Sequence, residues 1–297
     1  PNYESEFVRR FKIHEWLKGD PERQKAIKDH YRTNQGCIDF INDWCVTYNP
    51  RNKMPIPKMV PFLLFPKQEE FIWFLLDCLD NNENGLVEKA RDIGASWLCV
   101  AFSVWLWLFR DGVSIGWGSN KELSVDRIGD PDSLFEKMRM LINRVPSYLK
   151  PVGFDVKIHM PFMKIVNPET GATITGAAGD NIGRGGRSTI FFKDESAHYD
   201  RPELIEASLG DNTDVQIDIS SVNGSANVFY RKRMAGEIWK LGHKIKRGVT
   251  RVFIFDWRDH PGKTQDWYDR RRAKAEAEGL LHIFAQEVDR DYSGSVD

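Results

Sequence analysis

The stretch "VEKARDIGASWLCV", residues 87–100, decides how the rest of the chain is read. It has the outline of a phosphate-binding loop, G-x-x-x-x-G-K-[ST], with the lysine displaced. Gly94 and Ser96 take the second glycine and the hydroxyl positions. Lys89 stands where the first glycine belongs, and Ala95 where the lysine does. A strand, a glycine-containing turn and a helix N-terminus bring backbone N–H groups and a positive dipole end to one point, whatever the side chains are. "GLVEKA" reads as that strand, and the charge-free run Ile93–Phe109 as that helix. Ser96 is placed to ligate Mg²⁺, while Lys89 or Arg91 would reach back over the loop to phosphates in place of Ala95. Taken alone, such a stretch is more often a chance match inside a buried helix.

Working outward, "STIFFKDESAHYD" changes that balance. Three apolar residues, Ile190 to Phe192, run into Asp194 and Glu195. A buried strand ending in adjacent carboxylates is costly unless they have work to do. In a phosphate-loop enzyme Asp194 would hold Mg²⁺ through water. Glu195, facing the other way, would orient and deprotonate an attacking water. The bland reading is a strand ending in a polar turn, but its conjunction with the upstream loop is uncommon. "VQIDISSVNG" then runs a strand into Ser220, Ser221 and Asn223, where ligands bind in open α/β sheets. In "FPKQEEF", Gln68 carries an amide able to donate and accept at adenine. "GDNIGRGGRST" puts Arg184 and Arg187 on a glycine-rich segment, where a mobile arginine would stabilise charge on a transferring phosphoryl group. Singly, these are an exposed helix residue and a flexible hairpin loop.

The pattern around these motifs is strands interleaved with helices, which predicts an α/β fold with a largely parallel central sheet. Strands are expected at "GVSIGWGS", "STIFFKDE", "VQIDISSVN" and "TRVFIFDW", and a hairpin at "MKIVNPETGATITG" from its turn chemistry. "PKQEEFIWFLLDCL" and "SLFEKMRMLINRVP" read as helices, the second with Leu134, Met138, Leu141 and Ile142 on one side. Residues 1–60 read as helical, with Phe7, Phe11 and Trp16 on one face and Phe40, Ile41 and Trp44 on another. They end in the proline-rich connector "NPRNKMPIPKMVP". The expected division is an N-terminal helical subdomain or lid (1–60), a core (61–257), and a C-terminal charged helix with a polar tail (258–297).

Composition excludes several classes. Hydrophobic content of 41% and ten tryptophans argue against disorder. A net charge of −1 means that any DNA contact comes from local patches. The run "KRMAGEIWKLGHKIKR" stays open between a DNA-facing edge and ordinary surface, and Arg270 to Arg272 read as a solvated helix face. Four cysteines without C-x-x-C spacing and scattered histidines speak for buried free thiols and against zinc. The run Ile93–Phe109 lies at the bottom of the membrane-spanning range, and a buried helix explains it better.

With five motifs in order, the chain resembles the ATPase domain of large terminase subunits, the DNA-packaging motors of tailed bacteriophages. "FPKQ" resembles the adenine motif and "EKARDIGAS" an atypical Walker A loop. "RGGRSTIFFKDESA" matches the segment running into Walker B, and "SSVNG" the coupling motif. "CIDFINDWCVTYNPR" and "FAQEVDRDYSGSV" look like flanking segments. The resemblance implies a P-loop NTPase of ASCE/RecA-like type that binds ATP and Mg²⁺. It implies a nucleotide site of Gln68, Lys89, Ala90, Arg91, Asp92, Ile93, Gly94, Ala95, Ser96 and Trp97, with metal at Ser96 and Asp194. Glu195 and Arg91 would be catalytic, Arg184 a finger acting in trans, and Ser220, Ser221 and Asn223 coupling residues. Val222 departs from the family's usual proline, and Ala95 leaves the loop's standard cation position empty. Implied partners are double-stranded DNA, a portal protein, a small terminase subunit and further copies in a ring, in the host cytoplasm and without a membrane. Too few residues follow "SSVNG" for the family's nuclease domain, so nuclease activity is not expected here. Alternatives are a DExx-type helicase or translocase, which would need a second RecA-like domain, and a nucleotide-binding scaffold with little turnover.

Overall fold

The structure, a computed structural model, describes residues 1–293. Positions 294–297 of the expected C-terminal segment, including the end of "FAQEVDRDYSGSV", lie outside the described residues. Helices α1 (Tyr3–Leu17), α2 (Pro21–Tyr31) and α3 (Asn34–Trp44) lead into strands β1 (Val46–Tyr48) and β2 (Met59–Pro61). Helix α4 (Pro66–Asn81), strand β3 (Gly85–Lys89), helix α5 (Ala95–Phe109) and strand β4 (Ser114–Ser119) follow. Then come α6 (Glu122–Val125), α7 (Leu134–Arg144), α8 (Val156–His159), β5 (Lys164–Val166), β6 (Thr173–Ala178) and β7 (Ser188–Asp194). Helix α9 (Pro202–Asn212), β8 (Thr213–Ser220), α10 (Val228–Ala235), β9 (Glu237–Ile238) and β10 (Arg251–Phe255) precede α11 (Gln265–Ala277) and α12 (Leu281–Glu287).

Strands β1 and β2 pair with each other, and the other eight form one sheet in the order β5-β6-β4-β7-β8-β3-β10-β9. Each neighbouring pair from β7 through β9 is parallel, and β5 with β6 is antiparallel. One strand, β8, separates the loop strand β3 from the carboxylate strand β7. That interposed strand is the order of an ASCE-type P-loop NTPase, in agreement with the fold class read from the motifs.

By compactness the chain divides into two units that interleave along the sequence. The first holds residues 1–64, 97–115 and 126–176. Its three N-terminal helices are capped by Asn2, Asp20 and Thr33, each accepting from a backbone N–H in the first turn. Tyr31, Phe40 and Phe109 pack ring against ring, and the Trp105 indole N–H donates to the Tyr31 carbonyl at 2.7 Å. Helix α7 buries Leu134, Met138, Leu141 and Ile142 as its periodicity predicts. In the β5–β6 turn the Asn167 side-chain oxygen accepts from the N–H groups of Glu169 and Thr170. Gly171 supplies the left-handed φ of +78° that this turn requires.

One reading of the N-terminal region needs correction. Phe7 and Phe11 lie on one side of α1, but Trp16 comes nine residues after Phe7 and, at about 100° per residue, falls on the opposite side; all three are exposed, and Leu17 is the buried residue of that helix. Polar contacts hold α1 instead: Arg9 donates to Asp43 at 2.7 Å, and Arg10 to the Cys45 carbonyl at 2.7 Å. The proline-rich connector is the loop of an antiparallel hairpin, with Val46 opposite Pro61 and Tyr48 opposite Met59. No described helix is long and apolar enough to cross a membrane; Trp105 and Trp107 of α5 are buried in the protein.

The second unit holds residues 65–96 and 116–125 and, among the described residues, 177–293. Phe71 and Phe74 of α4 pack on Phe253 of β10. Strand β7 buries residues on both faces, Phe192 against Trp117 and Phe191 with Ile182, Tyr199, Ile205 and Leu209. This explains its continuous apolar run. The C-terminal segment forms two helices, and Trp257, Phe284 and Val288 cluster with Ala90, the residue that follows the loop strand. All four cysteines are free and buried.

Candidate nucleotide site

Because β3, β8 and β7 run parallel and adjacent, their carboxyl ends open on one edge of the sheet, where ligands bind in α/β folds. Lys89 ends β3, Ser220 ends β8 and Asp194 ends β7. Beyond Lys89 the chain passes through two left-handed residues, Asp92 (φ 56°) and Gly94 (φ 84°), before α5 begins at Ala95. A Cβ on Gly94 would stand 3.1 Å from the Gln68 side-chain nitrogen. That amide is already committed: its nitrogen donates to the Ile93 carbonyl at 3.3 Å, and its oxygen accepts from the Phe65 N–H at 3.2 Å. Gln68 therefore braces the loop from beneath. Fifteen residues of α5 follow, so the loop sits at a helix N-terminus of full dipole strength.

Lys89 is buried, and its ammonium donates to Glu195 Oε1 at 2.9 Å. Burial works against its charge, but Glu195, then Asp194 and Asp92, outweigh this and hold Lys89 above its ordinary pKa. Glu195 is the mirror case. Burial opposes its ionisation, while Lys89, His198 and the Ser220 hydroxyl lower its pKa below the ordinary carboxylate value. Its backbone is left-handed, φ 52° and ψ 42°, which turns the chain sharply after β7. Asp194, one residue earlier, accepts from the Ser96 hydroxyl at 3.2 Å. A hydroxyl and a carboxylate, both hard oxygen donors, thus meet at the start of α5, a set suited to Mg²⁺. Among the described residues there is no group of three or more His, Cys, Asp or Glu placed to hold a metal.

The Ser220–Asn223 segment grips the turn that follows Glu195. The Ser220 hydroxyl accepts from the Ala197 N–H at 3.2 Å and reaches Glu195 Oε2 at 3.5 Å. Asn223 donates to the Ala197 carbonyl at 3.0 Å, and Ser221 Oγ lies 3.3 Å from His198 Nε2.

Other expected residues stand apart from this group. Arg91 is exposed and bonds both Glu287 carboxylate oxygens, at 3.1 and 2.8 Å. Its backbone N–H also meets the Glu287 carbonyl at 2.6 Å. Arg184 is exposed and its side chain makes no hydrogen bond or ion pair among the described residues. Trp97 carries the Lys137 ammonium 5.4 Å above its ring. Ala90 and Ala95 are buried spacers.

Three residues at the site escaped sequence reading. His198 sits three positions after Glu195 and 3.8 Å from its Oε2, a spacing that a search around the carboxylates would have found. Lys263 donates to the Arg91 carbonyl at 2.5 Å, and burial pushes its pKa down to about 8. Glu287 lies 196 positions from its partner Arg91, and nothing in the sequence marks it.

No family model matches the chain, and no curated protein does. Solved structures do. The large terminase ATPase domain of Thermus phage P74-26 is 18% identical with a TM-score of 0.50, covering 70% of this chain and 88% of that one. The large terminase of bacteriophage HK97 is 14% identical with a TM-score of 0.57, covering 86% of this chain and 54% of that one. The large terminase of a thermophilic bacteriophage, in complex with ATP-gamma-S, is 11% identical with a TM-score of 0.51, covering 76% and 52%. The chain thus spans about half the length of the latter two. At these identities the likeness establishes the fold: a P-loop NTPase sheet shared with large terminase ATPase domains.

Proposed function

We propose that this chain is the ATPase domain of a large terminase subunit, in which Mg²⁺-dependent ATP hydrolysis drives double-stranded viral DNA into a procapsid. One observation carries the reading: Lys89, Ser96, Asp194, Glu195 and Ser220 converge at the carboxyl ends of three adjacent parallel strands. Ser96 and Asp194 would hold Mg²⁺, which when bound neutralises phosphate charge. Lys89 contacts phosphates, and Glu195 orients the attacking water and accepts its proton. The two backbone bonds of Gln68 use one N–H and one lone pair, leaving one of each for adenine. The exposed Arg184 serves a neighbouring subunit's nucleotide, as the family resemblance implies. Ser220, Ser221 and Asn223 sense the turn at Glu195 and pass its state onward. The working assembly is a ring on a portal protein, with a small terminase subunit, in the host cytoplasm.

Of the two candidate cations, position favours Lys89. Its ammonium lies among Glu195, Asp194 and Asp92, whereas Arg91 is turned to Glu287 as a tether for the loop. ATP hydrolysis by the wild type, Lys89→Ala and Arg91→Ala tests this. Lys89→Ala is expected to lose at least about 100-fold, the scale of one electrostatic contact to the transition state, and Arg91→Ala only a few-fold. Full activity in Lys89→Ala would refute the assignment. ATP binding without turnover in the wild type would favour the scaffold reading.

A further inference from the structure

Arg251, at the start of β10, and Glu83 are both buried, and their charged groups meet at 3.3 Å. The desolvation that burying such a pair costs is on the order of what the pairing returns. Both partners also bond the backbone of one surface loop. The Arg251 guanidinium donates to the carbonyls of Ile245 (3.0 Å), Lys246 (3.1 Å) and Val249 (2.6 Å). Both Glu83 oxygens accept from the Gly248 N–H at 3.1 Å. At the loop's other end Trp239 is buried, and its indole donates to Asp77 at 3.1 Å.

The loop so braced displays Lys240, Lys244, Lys246 and Arg247, all exposed. Residues 238–250 contain no acid. None of the four side chains has an ion pair or hydrogen bond among the described residues, and the loop's histidine, His243, is matched by Glu237 at 2.9 Å. In a chain of net charge −1 this is a local concentration of uncompensated cations on a fixed backbone. Its only aromatic residue besides the histidine is the buried Trp239, so the loop has no stacking platform for unpaired bases. Spaced point charges on a braced backbone suit a phosphate backbone.

We propose that this loop docks the phosphate backbone of double-stranded DNA, and the choice of duplex rests on the packaging-motor reading. The test compares the full chain with a Lys240→Ala/Lys244→Ala/Lys246→Ala/Arg247→Ala variant by fluorescence anisotropy on a labelled duplex over a KCl series. Each lost phosphate contact removes about 0.9 from the log–log salt slope, so the variant's slope is expected to be shallower by about 3 to 4. Equal slopes and equal affinities overturn the proposal. So does a variant that keeps duplex binding but loses binding to phosphatidylserine vesicles, which would assign the loop and its exposed Leu241 to a membrane surface. Should the fourfold variant misfold, Lys244→Glu alone is read the same way, with a slope shallower by about one or more. Hydrolysis without DNA is measured in parallel. A wild type that binds duplex through the loop yet never hydrolyses ATP refutes the motor reading and leaves the loop assignment standing.

Discussion

Two lysine–carboxylate groupings lie side by side along β7 and differ in one respect. Lys193 belongs to a closed ring: its ammonium meets Glu206 at 2.7 Å and Asp218 at 3.0 Å, while Lys232 meets Asp218 at 2.6 Å and Glu206 at 2.9 Å. Every charge in that ring has two opposite neighbours. Burial opposes the charge on Asp218, yet Lys193 and Lys232 bring its pKa down to about 2. Two residues further along, Glu195 has one ammonium, Lys89, and its side chain is 38% exposed. A ring of matched charges offers an incoming anion nothing to exchange. The open pair does: under the proposed function a phosphate would take Glu195's place on Lys89 and set the carboxylate free for water. Buried charge alone does not mark a functional site; an unfilled valence beside solvent does.

The largest effect expected from breaking this comparison is chemical. Glu195→Gln should lower hydrolysis by about 100- to 10,000-fold, the range of general-base catalysis. Its melting temperature should fall, but by less than in Asp218→Asn, because the new amide oxygen can still accept from Lys89 and the position is partly exposed. The next is energetic: Asp218→Asn leaves two buried ammonium groups short of a partner, which costs about 3–5 kcal/mol in urea unfolding. Hydrolysis per folded molecule should be nearly retained. If Asp218→Asn were silent in urea but inactive, the two groupings would have exchanged roles. The smallest effect is a pH dependence. The folded pKa of Asp218, about 2, lies below its ordinary 3.8. Its contribution is therefore complete above the unfolded value and lost as pH falls through the folded one. The stability gap between wild type and Asp218→Asn should close between about pH 4 and pH 2; a constant gap would mean that Asp218 is not held down by the two lysines.

Much of this architecture was legible because it is written in local patterns. The β5–β6 turn follows from Asn-Pro-Glu-Thr-Gly, and β7 from an apolar run ending in Asp194. The convergence of Lys89, Ser96, Asp194 and Glu195 follows once loop strand and carboxylate strand share a parallel sheet. What could not be read depends on partners distant in sequence. Periodicity places Phe7 and Phe11 on one side of α1 and Trp16 on the other but does not say whether anything covers them. Arg91 looks like a phosphate contact until Glu287 takes it. Glu88 reads as one more strand residue, yet it is buried against Arg233, Arg290 and Tyr292. Tyr292 lies 204 positions away from it.

The left-handed backbone at Glu195 carries a consequence for anyone redesigning this sequence. A non-glycine residue in that conformation costs on the order of 1–2 kcal/mol, and glycine or asparagine would relieve it. A procedure that optimises backbone propensity alone would therefore replace Glu195 early, deleting the carboxylate and leaving the buried Lys89 ammonium without its partner. Backbone conformation and ion pairing pull this position in opposite directions, so a redesigned version of the chain should be checked there first.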